Sequence, residues 1–512
     1  MIISEMQSKL ATWSTESKER KFDQLLRLIA SKSWLSEAAS ITLSSSGART
    51  PGVDGIDKMK MQDTLDAELE LLQHELLTGT YSPRPARRVY IPKANGKLRP
   101  LGIPCLRDRI VQRAMLMVME PIWESDFHPQ SYGFRPARSV HHAIRTIKMQ
   151  LQDGNEQTNA TAGRWVIEGD LASYFDTVHH RLLMKAVRKR ISDQRFLGLL
   201  WKIIKAGCVD RGLFRASSEG VPQGGVISPL LSNIMLHEFD RWMEAKFLSK
   251  KVRKDRWAWN FGIQTGRPVA IRENRQWKPA ISYCRYADDF VVVVKGTKAH
   301  AEEVREACRE FLEDKLKLTL NMDKTHITHV NDGFVFLGHR IIRKRGSRGQ
   351  MRPVSSIPWD KYRRFTEKLV KQLSGNYGMN TMDLVEGLNR QLAGWANFYQ
   401  YTDHTAAIYG KVDRVVFWKL GYWLARKYKR GFRQLMKDHV RSPSKGKAKI
   451  WVLQGQNSRG FYGELALRRL ITSRKGWFTW KNPPGNPYIL RSEKRRIIES
   501  YYDEVAFALS NT

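Results

Sequence analysis

Two aspartates stand side by side at Asp288 and Asp289, in the run Ile281-Ser282-Tyr283-Cys284-Arg285-Tyr286-Ala287-Asp288-Asp289-Phe290-Val291-Val292-Val293-Val294. Apolar and β-branched residues lead up to the pair and away from it, the pattern of two buried strands joined by a tight turn. Adjacent carboxylates repel, and each raises the proton affinity of the other unless a cation compensates. A divalent ion such as Mg²⁺ is a fitting compensator, because a hard cation takes oxygen ligands and keeps part of its shell for water or substrate phosphate. A solvated Asp-Asp turn carries the same two residues, so a second acidic segment decides between the readings. It lies upstream, where Arg164-Trp165-Val166-Ile167-Glu168-Gly169 reads as a short strand delivering Asp170, with Tyr174 and Phe175 in the turn that follows. Two-metal phosphoryl chemistry needs carboxylates from at least two chain segments, so that the attacking and leaving oxygens are both clamped. Asp170, Asp288 and Asp289 meet that requirement if their strands lie side by side. Asp170 alone is equally a cap, and Glu168 and Asp176 are expected to be solvated or capping groups.

Other elements must then bring substrate to these acids. Arg87–Pro104 reads as a hairpin around Ala94-Asn95-Gly96, since Asn-Gly is a strong turn signal. Lys93 and Arg99 lie on its opposite arms, where they can converge on one anion; a nucleoside triphosphate fits, and a solvated basic hairpin is the alternative. Gly220-Val221-Pro222-Gln223-Gly224-Gly225 is a glycine-rich turn opening an apolar helix that carries Asn233; glycine lets backbone approach a ligand, and a helix start favours anions. In Ser131-Tyr132-Gly133-Phe134-Arg135-Pro136-Ala137-Arg138, two arginines beside a loop predict phosphate contacts. Lys324 ends a strand-like segment, Leu318–Thr325. Helical periodicity covers residues up to about 45, then 60–78 and Leu106–Glu124.

The 512 residues carry 87 Lys and Arg against 51 Asp and Glu, a net charge of +36, and 16 Trp. Cations for phosphates together with many ring faces for bases are the footprint of a nucleic-acid binder. A membrane-surface protein shares the charge, but no apolar run approaches the roughly 20 residues that span a bilayer. The opening Met1–Met6 lacks the order of a secretory signal. Cys105, Cys208, Cys284 and Cys308 include no C-x-x-C pair, which argues against zinc ribbons and fits a reducing cytoplasm. The histidines form no ligand cluster.

Asp170 with Phe175, Pro222-Gln223-Gly224, and Tyr286-Ala287-Asp288-Asp289, in that order, resemble the motifs of reverse transcriptases. Longer runs, Gly220–Ile234, Ser131–Pro136 and Gly394-Trp395-Ala396-Asn397-Phe398-Tyr399, are similar to the group II intron-encoded reverse transcriptases, also called maturases, over about residues 45–430. The resemblance implies an α+β right-hand polymerase with fingers, a palm carrying an antiparallel sheet and a three-helix thumb, plus a small basic C-terminal domain. It implies fingers and palm over 46–345 and a thumb over 346–430; a helical extension precedes them over 1–45, and the basic excess over 431–512 reads either as a DNA-binding region or as a generic basic structural cap. It implies Asp170, Leu171, Asp288 and Asp289 as ligands of two Mg²⁺ ions, with Mn²⁺ the alternative ion. Lys93 and Arg99 match the basic pair on the triphosphate, Gln223 the glutamine near the incoming nucleotide, and Lys324 a palm lysine. Phe175 matches the ring that lies under the sugar and leaves no room for a 2′-hydroxyl; Tyr174 replaces it if the register slips.

The implied activity is RNA-directed DNA synthesis, joined to binding of the parent intron RNA for splicing and retrohoming in a bacterial cytoplasm, at the nucleoid when acting on DNA. The implied partners are group II intron RNA, target and primer DNA, and deoxynucleoside triphosphates, with no membrane. Three rivals remain: a splicing maturase with dispensable polymerase activity, a domesticated repair reverse transcriptase, and an RNA-dependent RNA polymerase. Ser356-Ile357-Pro358 predicts a helix start, with further helices at about Thr381–Tyr399 and Thr405–Lys429 and basic exposed faces. Trp395, Phe398 and Tyr399 are expected in the core rather than stacked on bases. No cysteine lies beyond Cys308, so the cysteine-bearing HNH endonuclease of many family members is not expected, and the primer needs another source.

Overall fold

A computed structural model describes residues 2–92, 96, 98–152, 164–249, 259–261, 268–270, 279–346, 351–443, 449–471 and 485–489. Its first compact unit comprises Met1–Ala143, Thr161–Ile327 and Lys481–Thr512; the second comprises Ile144–Ala160 and Thr328–Trp480.

In chain order the first unit builds strands β1 (Ala86–Pro92), β2 (Leu98–Ile103), β3 (Arg164–Gly169), β4 (Cys208–Asp210), β5 (Leu213–Arg215), β6 (Ala280–Tyr286) and β7 (Asp289–Lys295), and it ends within β8 (His326–His329). The apolar run Phe290–Val294 becomes the body of β7. Each of its side chains is buried, as expected of a strand covered on both faces. β7 pairs antiparallel with β6 on one side and β3 on the other, giving the sheet order β8-β3-β7-β6. Helices Leu106–Trp123, Ser228–Met243 and Lys298–Phe311 contribute Ile110, Leu236, Phe239 and Val304 to the core shared with β7. Pro121 removes one N–H from the helix Leu106–Trp123 and so leaves the Met117 carbonyl without its usual partner. Gln7 supplies the replacement, its Nε2 donating to that oxygen at 2.9 Å.

A second sheet, in the order β2-β1-β4-β5, carries the expected hairpin, with Arg87 opposite Ile103 and Pro92 opposite Leu98. The helical stretch expected up to residue 45 is three helices, Ile3–Glu16, Leu25–Ile29 and Lys32–Ser44. It breaks because Phe22 exchanges main-chain hydrogen bonds with Arg190 (2.7 Å) and Ser192 (2.9 Å), which an α-helix cannot accommodate. The helix expected over 60–78 is likewise interrupted, at Thr64.

In the second unit, an antiparallel sheet of Phe334–Phe336, His339–Arg345 and Met351–Ser356 precedes helices Trp359–Gln372, Thr381–Tyr399 and Thr405–Tyr428. Pro358 is the N-cap of the first helix rather than its first turn. Asn380 caps the second, accepting from the N–H groups of Met382 (2.8 Å) and Asp383 (3.2 Å). Leu384, Leu388 and Leu392 on that helix and Val412, Val416 and Leu420 on the third recur at spacings of four and share one core. Trp395 stacks on Phe365 at 4.6 Å and Tyr399 is buried, but Phe398 is exposed beside His339 and is not a core residue. Trp451, Leu453 and Leu435 belong to the same core, so the sequence boundary at 430 falls within it. Residues 444–448, the aromatic segment Gly476–Trp480 and most of the basic insertion over 246–280 lie outside the described residues.

Candidate active site

Tyr286 pairs with Asp289, so the β6–β7 turn has Ala287 and Asp288 at its corner. Ala287 has φ of 56°, a left-handed conformation that costs an alanine on the order of 1 kcal/mol. Surrounding groups hold it there. The loop Gln130–Gly133 runs beside β6: Arg285 donates its N–H to the Gln130 carbonyl, and the Tyr132 N–H returns to the Arg285 carbonyl, both at 2.9 Å. Gly133 then lies so close to the Tyr286–Ala287 backbone that a Cβ there would collide with it.

β3 delivers the third acid. Gly169 pairs with Phe290, so the next residue, Asp170, comes out level with Asp289 on the adjoining strand. On its other side Asp170 is tied to the segment Thr319–Lys324. The Asn321 N–H donates to its carbonyl at 2.8 Å, and Lys324 Nζ to its Oδ2 at 2.9 Å. Leu171 bridges to Leu320 with its side chain buried. Only its main-chain carbonyl is a donor toward a cation.

The electrostatics follow from this crowding. Burial, then repulsion from Asp288 and Asp170, pushes the Asp289 carboxyl up to about 7, with Lys324 opposing. Burial likewise raises Asp288; Asp170 adds to the rise, while its own backbone N–H, Arg99 and Arg285 oppose it. Three hard oxygen donors on two segments, incompletely compensated by their cations, fit a divalent ion. Among the described residues no three His, Cys, Asp or Glu side chains already converge into a cage. Asp170 is drawn instead toward the Lys324 ammonium.

The other site residues group around the same strand ends. Arg99 is exposed on β2, opposite Ile91, and its charge reaches Asp288. Lys93 lies outside the described residues. Tyr174 is fully buried and donates its hydroxyl to the Ser232 carbonyl at 2.9 Å, whereas Phe175 is half-buried, its ring 5.5 Å from that of Tyr174 and 6.4 Å from that of Phe134. Phe175, not Tyr174, therefore remains partly exposed. The Phe175 carbonyl accepts from the Val221 N–H at 2.7 Å, and the Gln223 carbonyl accepts from the Gly102 N–H at 2.6 Å. The glycine-rich loop is thus stitched to both the aromatic turn and β2. Gly224 has φ of 112°, and a Cβ there would stand 2.5 Å from the Gly102 carbonyl oxygen, so the stitch needs glycine.

Two sequence readings change. Arg135 is not a phosphate ligand; it is buried against Glu124 (2.9 Å) and donates to the carbonyls of His128 (2.8 Å) and Ser131 (2.7 Å), so it builds the loop from within. Its neighbour Arg138 donates to the Pro129 carbonyl and lies over the Tyr132 ring. Asn233 is fully buried and donates to the Gly133 carbonyl at 2.8 Å. Sequence reasoning also passed over Arg285 and Asp240, an ion pair buried beneath the acidic turn. The signal was an arginine inside an otherwise apolar strand, which needs a buried partner.

A family model described as "Reverse transcriptase (RNA-dependent DNA polymerase)" matches residues 91–341, and one described as "Group II intron, maturase-specific domain" matches residues 362–440. The chain is 69% identical over 373 residues to Protein YkfC of Escherichia coli (strain K12), a match covering 73% of this chain and 97% of that protein. It is 32% identical over 370 residues to the Group II intron-encoded protein LtrA of Lactococcus lactis subsp. cremoris, covering 65% of this chain and 59% of that one. Similarity extends to Nuclear intron maturase 1, mitochondrial, of Arabidopsis thaliana, at 26% over 300 residues, 47% of this chain and 41% of that protein.

Proposed function

The chain belongs to the group II intron-encoded reverse transcriptases, right-hand polymerases joined to a maturase domain, and from that premise we propose that Asp170, Asp288 and Asp289 are its polymerising centre. The observation that carries this reading is the register of β3, β7 and β6, which brings three acids from two distant segments to one end of one sheet. In the proposed reaction a primer 3′-hydroxyl attacks the α-phosphorus of a deoxynucleoside triphosphate; the new P–O bond forms as the bond to pyrophosphate breaks. Two Mg²⁺ ions, held by the three aspartates and the Leu171 carbonyl, would neutralise charge on the attacking and departing oxygens, and Mn²⁺ is the alternative ion. Arg99, with Lys93, holds the triphosphate through charge-assisted hydrogen bonds. Phe175 offers its partly exposed ring to the sugar and excludes a 2′-hydroxyl by bulk, and the Gln223 loop completes the nucleotide site. Lys324 Nζ, 2.9 Å from Asp170 Oδ2, occupies that carboxylate until a divalent ion displaces it.

The partners we infer are group II intron RNA, target and primer DNA, and deoxynucleotides. A net charge of +36 supports polyanion binding, and exposed Arg363, Arg364, Lys368 and Lys371 on the helix Trp359–Gln372 support an RNA-facing role for that region. No helix among the described residues is long and apolar enough to cross a membrane. The test is primer extension on an RNA template by purified protein, with and without Mg²⁺. Asp288→Ala combined with Asp289→Ala abolishes extension and leaves intron RNA binding intact. A double variant that still extends the primer would falsify the assignment; one that stops polymerising yet still assists splicing shows two separable activities.

A further inference from the structure

Beneath the acidic turn lies a cluster of charges that touches neither substrate nor solvent. Arg285, Asp240, Asn233 and Tyr283 are all essentially inaccessible. The Arg285 guanidinium makes a forked pair with Asp240, Nε to Oδ1 at 2.8 Å and Nη2 to Oδ2 at 2.6 Å, and Tyr283 donates its hydroxyl to the same carboxylate at 2.7 Å. Its remaining nitrogen, Nη1, donates to the Ala287 carbonyl at 2.8 Å and to Asn233 Oδ1 at 3.0 Å. Asn233 in turn donates to the Gly133 carbonyl, in the loop that flanks the turn.

A buried pair of this kind is weak evidence for stability, since well-packed apolar residues of similar volume often do as well. Its geometry shows what apolar side chains could not do. One planar fork ties the helix Ser228–Met243, through Asp240 and Asn233, to the carbonyl of the one strained residue in the turn. Only a rigid, multiply donating group can fix Asp240, Asn233 and Ala287 at once; a lysine ammonium, a point charge on a flexible stem, cannot reproduce the fork.

We propose that Arg285 is a positioning residue for cation binding: by fastening the Ala287 carbonyl to the Asp240 anchor, it sets the direction in which Asp288 and Asp289 leave the strands. This rests on the metal-assisted reading of the three aspartates. Outer-shell partners that orient a ligating carboxylate typically change metal affinity or activity about 10–100-fold when altered. Arg285→Lys therefore weakens divalent-ion binding about tenfold or more and raises the Mg²⁺ concentration for half-maximal extension by the same factor, with the rate recovering at high Mg²⁺. Asn233→Ala, which removes one brace and leaves the ion pair, shifts both quantities in the same direction by less.

The measurements are Mn²⁺ binding to the nucleic-acid-free protein, followed by electron paramagnetic resonance, and the Mg²⁺ dependence of primer extension, each with a thermal melt. Leu236→Ala serves as the control for fold damage, because it opens a cavity on the same helix, beside Asn233 and Asp240, and removes none of the network's hydrogen bonds. It lowers the melting temperature and leaves Mn²⁺ affinity and Mg²⁺ half-saturation where they were. If Arg285→Lys and Asn233→Ala behave like Leu236→Ala, the positioning role is overturned; should Arg285→Lys not fold, Asn233→Ala alone decides. Asp288→Ala separates this outcome from failure of the site reading: if it leaves Mn²⁺ affinity intact, the carboxylates do not hold the ion, whatever Arg285 does.

Discussion

Gly133→Ala is the smallest change that should disable catalysis without touching a charged group. A Cβ at position 133 would collide first with the Ala287 main-chain nitrogen, and it would stand 2.9 Å from the Tyr286 carbonyl carbon and 3.0 Å from the Ala287 Cα. Carbon atoms settle at about 3.5–4.0 Å, so one backbone must retreat by at least about half an ångström. The loop bearing residue 133 has little freedom to do so. Arg135 grips the Ser131 carbonyl at 2.7 Å, Glu124 holds Arg135, and Tyr132 is bonded to β6. The displacement therefore passes to Ala287 and on to the carboxylate that follows it. Overpacking of this kind costs about 1–3 kcal/mol of stability, and misplacing reacting groups by about 1 Å costs on the order of 10²-fold in rate. The assay is kcat for extension on an RNA template at saturating Mg²⁺ and nucleotide, with a thermal melt at the same protein concentration. The expected result is a kcat loss approaching 10²-fold in protein that is still mostly folded. Ala287→Gly added to Gly133→Ala should not restore the rate, because the clash is with main-chain atoms. A variant that melts lower yet keeps its full kcat would refute the idea that this loop sets the turn.

Phe175→Ala should raise ribonucleotide use relative to deoxynucleotide use by up to about 10²-fold, measured as the ratio of kcat/KM values; an unchanged ratio removes Phe175 from the sugar gate. Tyr174→Phe should leave that ratio alone and cost about 1 kcal/mol through the lost bond to the Ser232 carbonyl. Asp108 gives a pH test: burial raises its carboxyl from 3.8 to about 6, with the Tyr81 hydroxyl at 2.5 Å opposing the rise. The folded state thus holds this proton more tightly than the unfolded one, so its stabilisation is complete below about 4 and is lost as pH rises through about 6, a change of roughly 3 kcal/mol at most. Asp108→Asn should flatten that segment of the melting-temperature profile relative to the parent protein, and identical slopes would refute the linkage. RNA affinity should fall by about 10³-fold between roughly 50 and 200 mM salt if several phosphates are neutralised; a flat titration would contradict the polyanion reading.

The parts of the site legible in the sequence are those that local pattern encodes. Asp288 and Asp289 announce themselves because an apolar run cannot end in two acids without a reason, and Phe290–Val294 could only be a covered strand. The helix expected at about Thr381–Tyr399 forms over those residues, and the structure adds Asn380 as its cap. Side-chain pairing across the chain leaves no such trace. Arg135 looks like a phosphate ligand because its partner, Glu124, sits on the preceding helix, and nothing in the string shows that their heads meet. The break at residues 17–24 was hidden for the same reason: Phe22 leaves the helical pattern to pair with residues about 170 positions away.

The contrast between Arg285 and Lys324 carries the argument further. Both are cations that act on the acidic cluster, and both lower the proton affinity of one of its aspartates. Arg285 is buried and bonded to the Asp240 carboxylate, the Asn233 side chain and the Ala287 carbonyl, whereas Lys324 is exposed, pairs with Asp170 and acts on Asp289 through its charge. An exposed ammonium can be displaced when a divalent ion claims its carboxylate; a buried guanidinium locked to Asp240 cannot. The same field therefore has a fixed part and a removable part. Lys324→Ala should then leave ion affinity equal to or above that of the parent protein, the opposite of Arg285→Lys. If both substitutions weaken Mn²⁺ binding alike, Lys324 is part of the frame, and the distinction between the two cations is wrong.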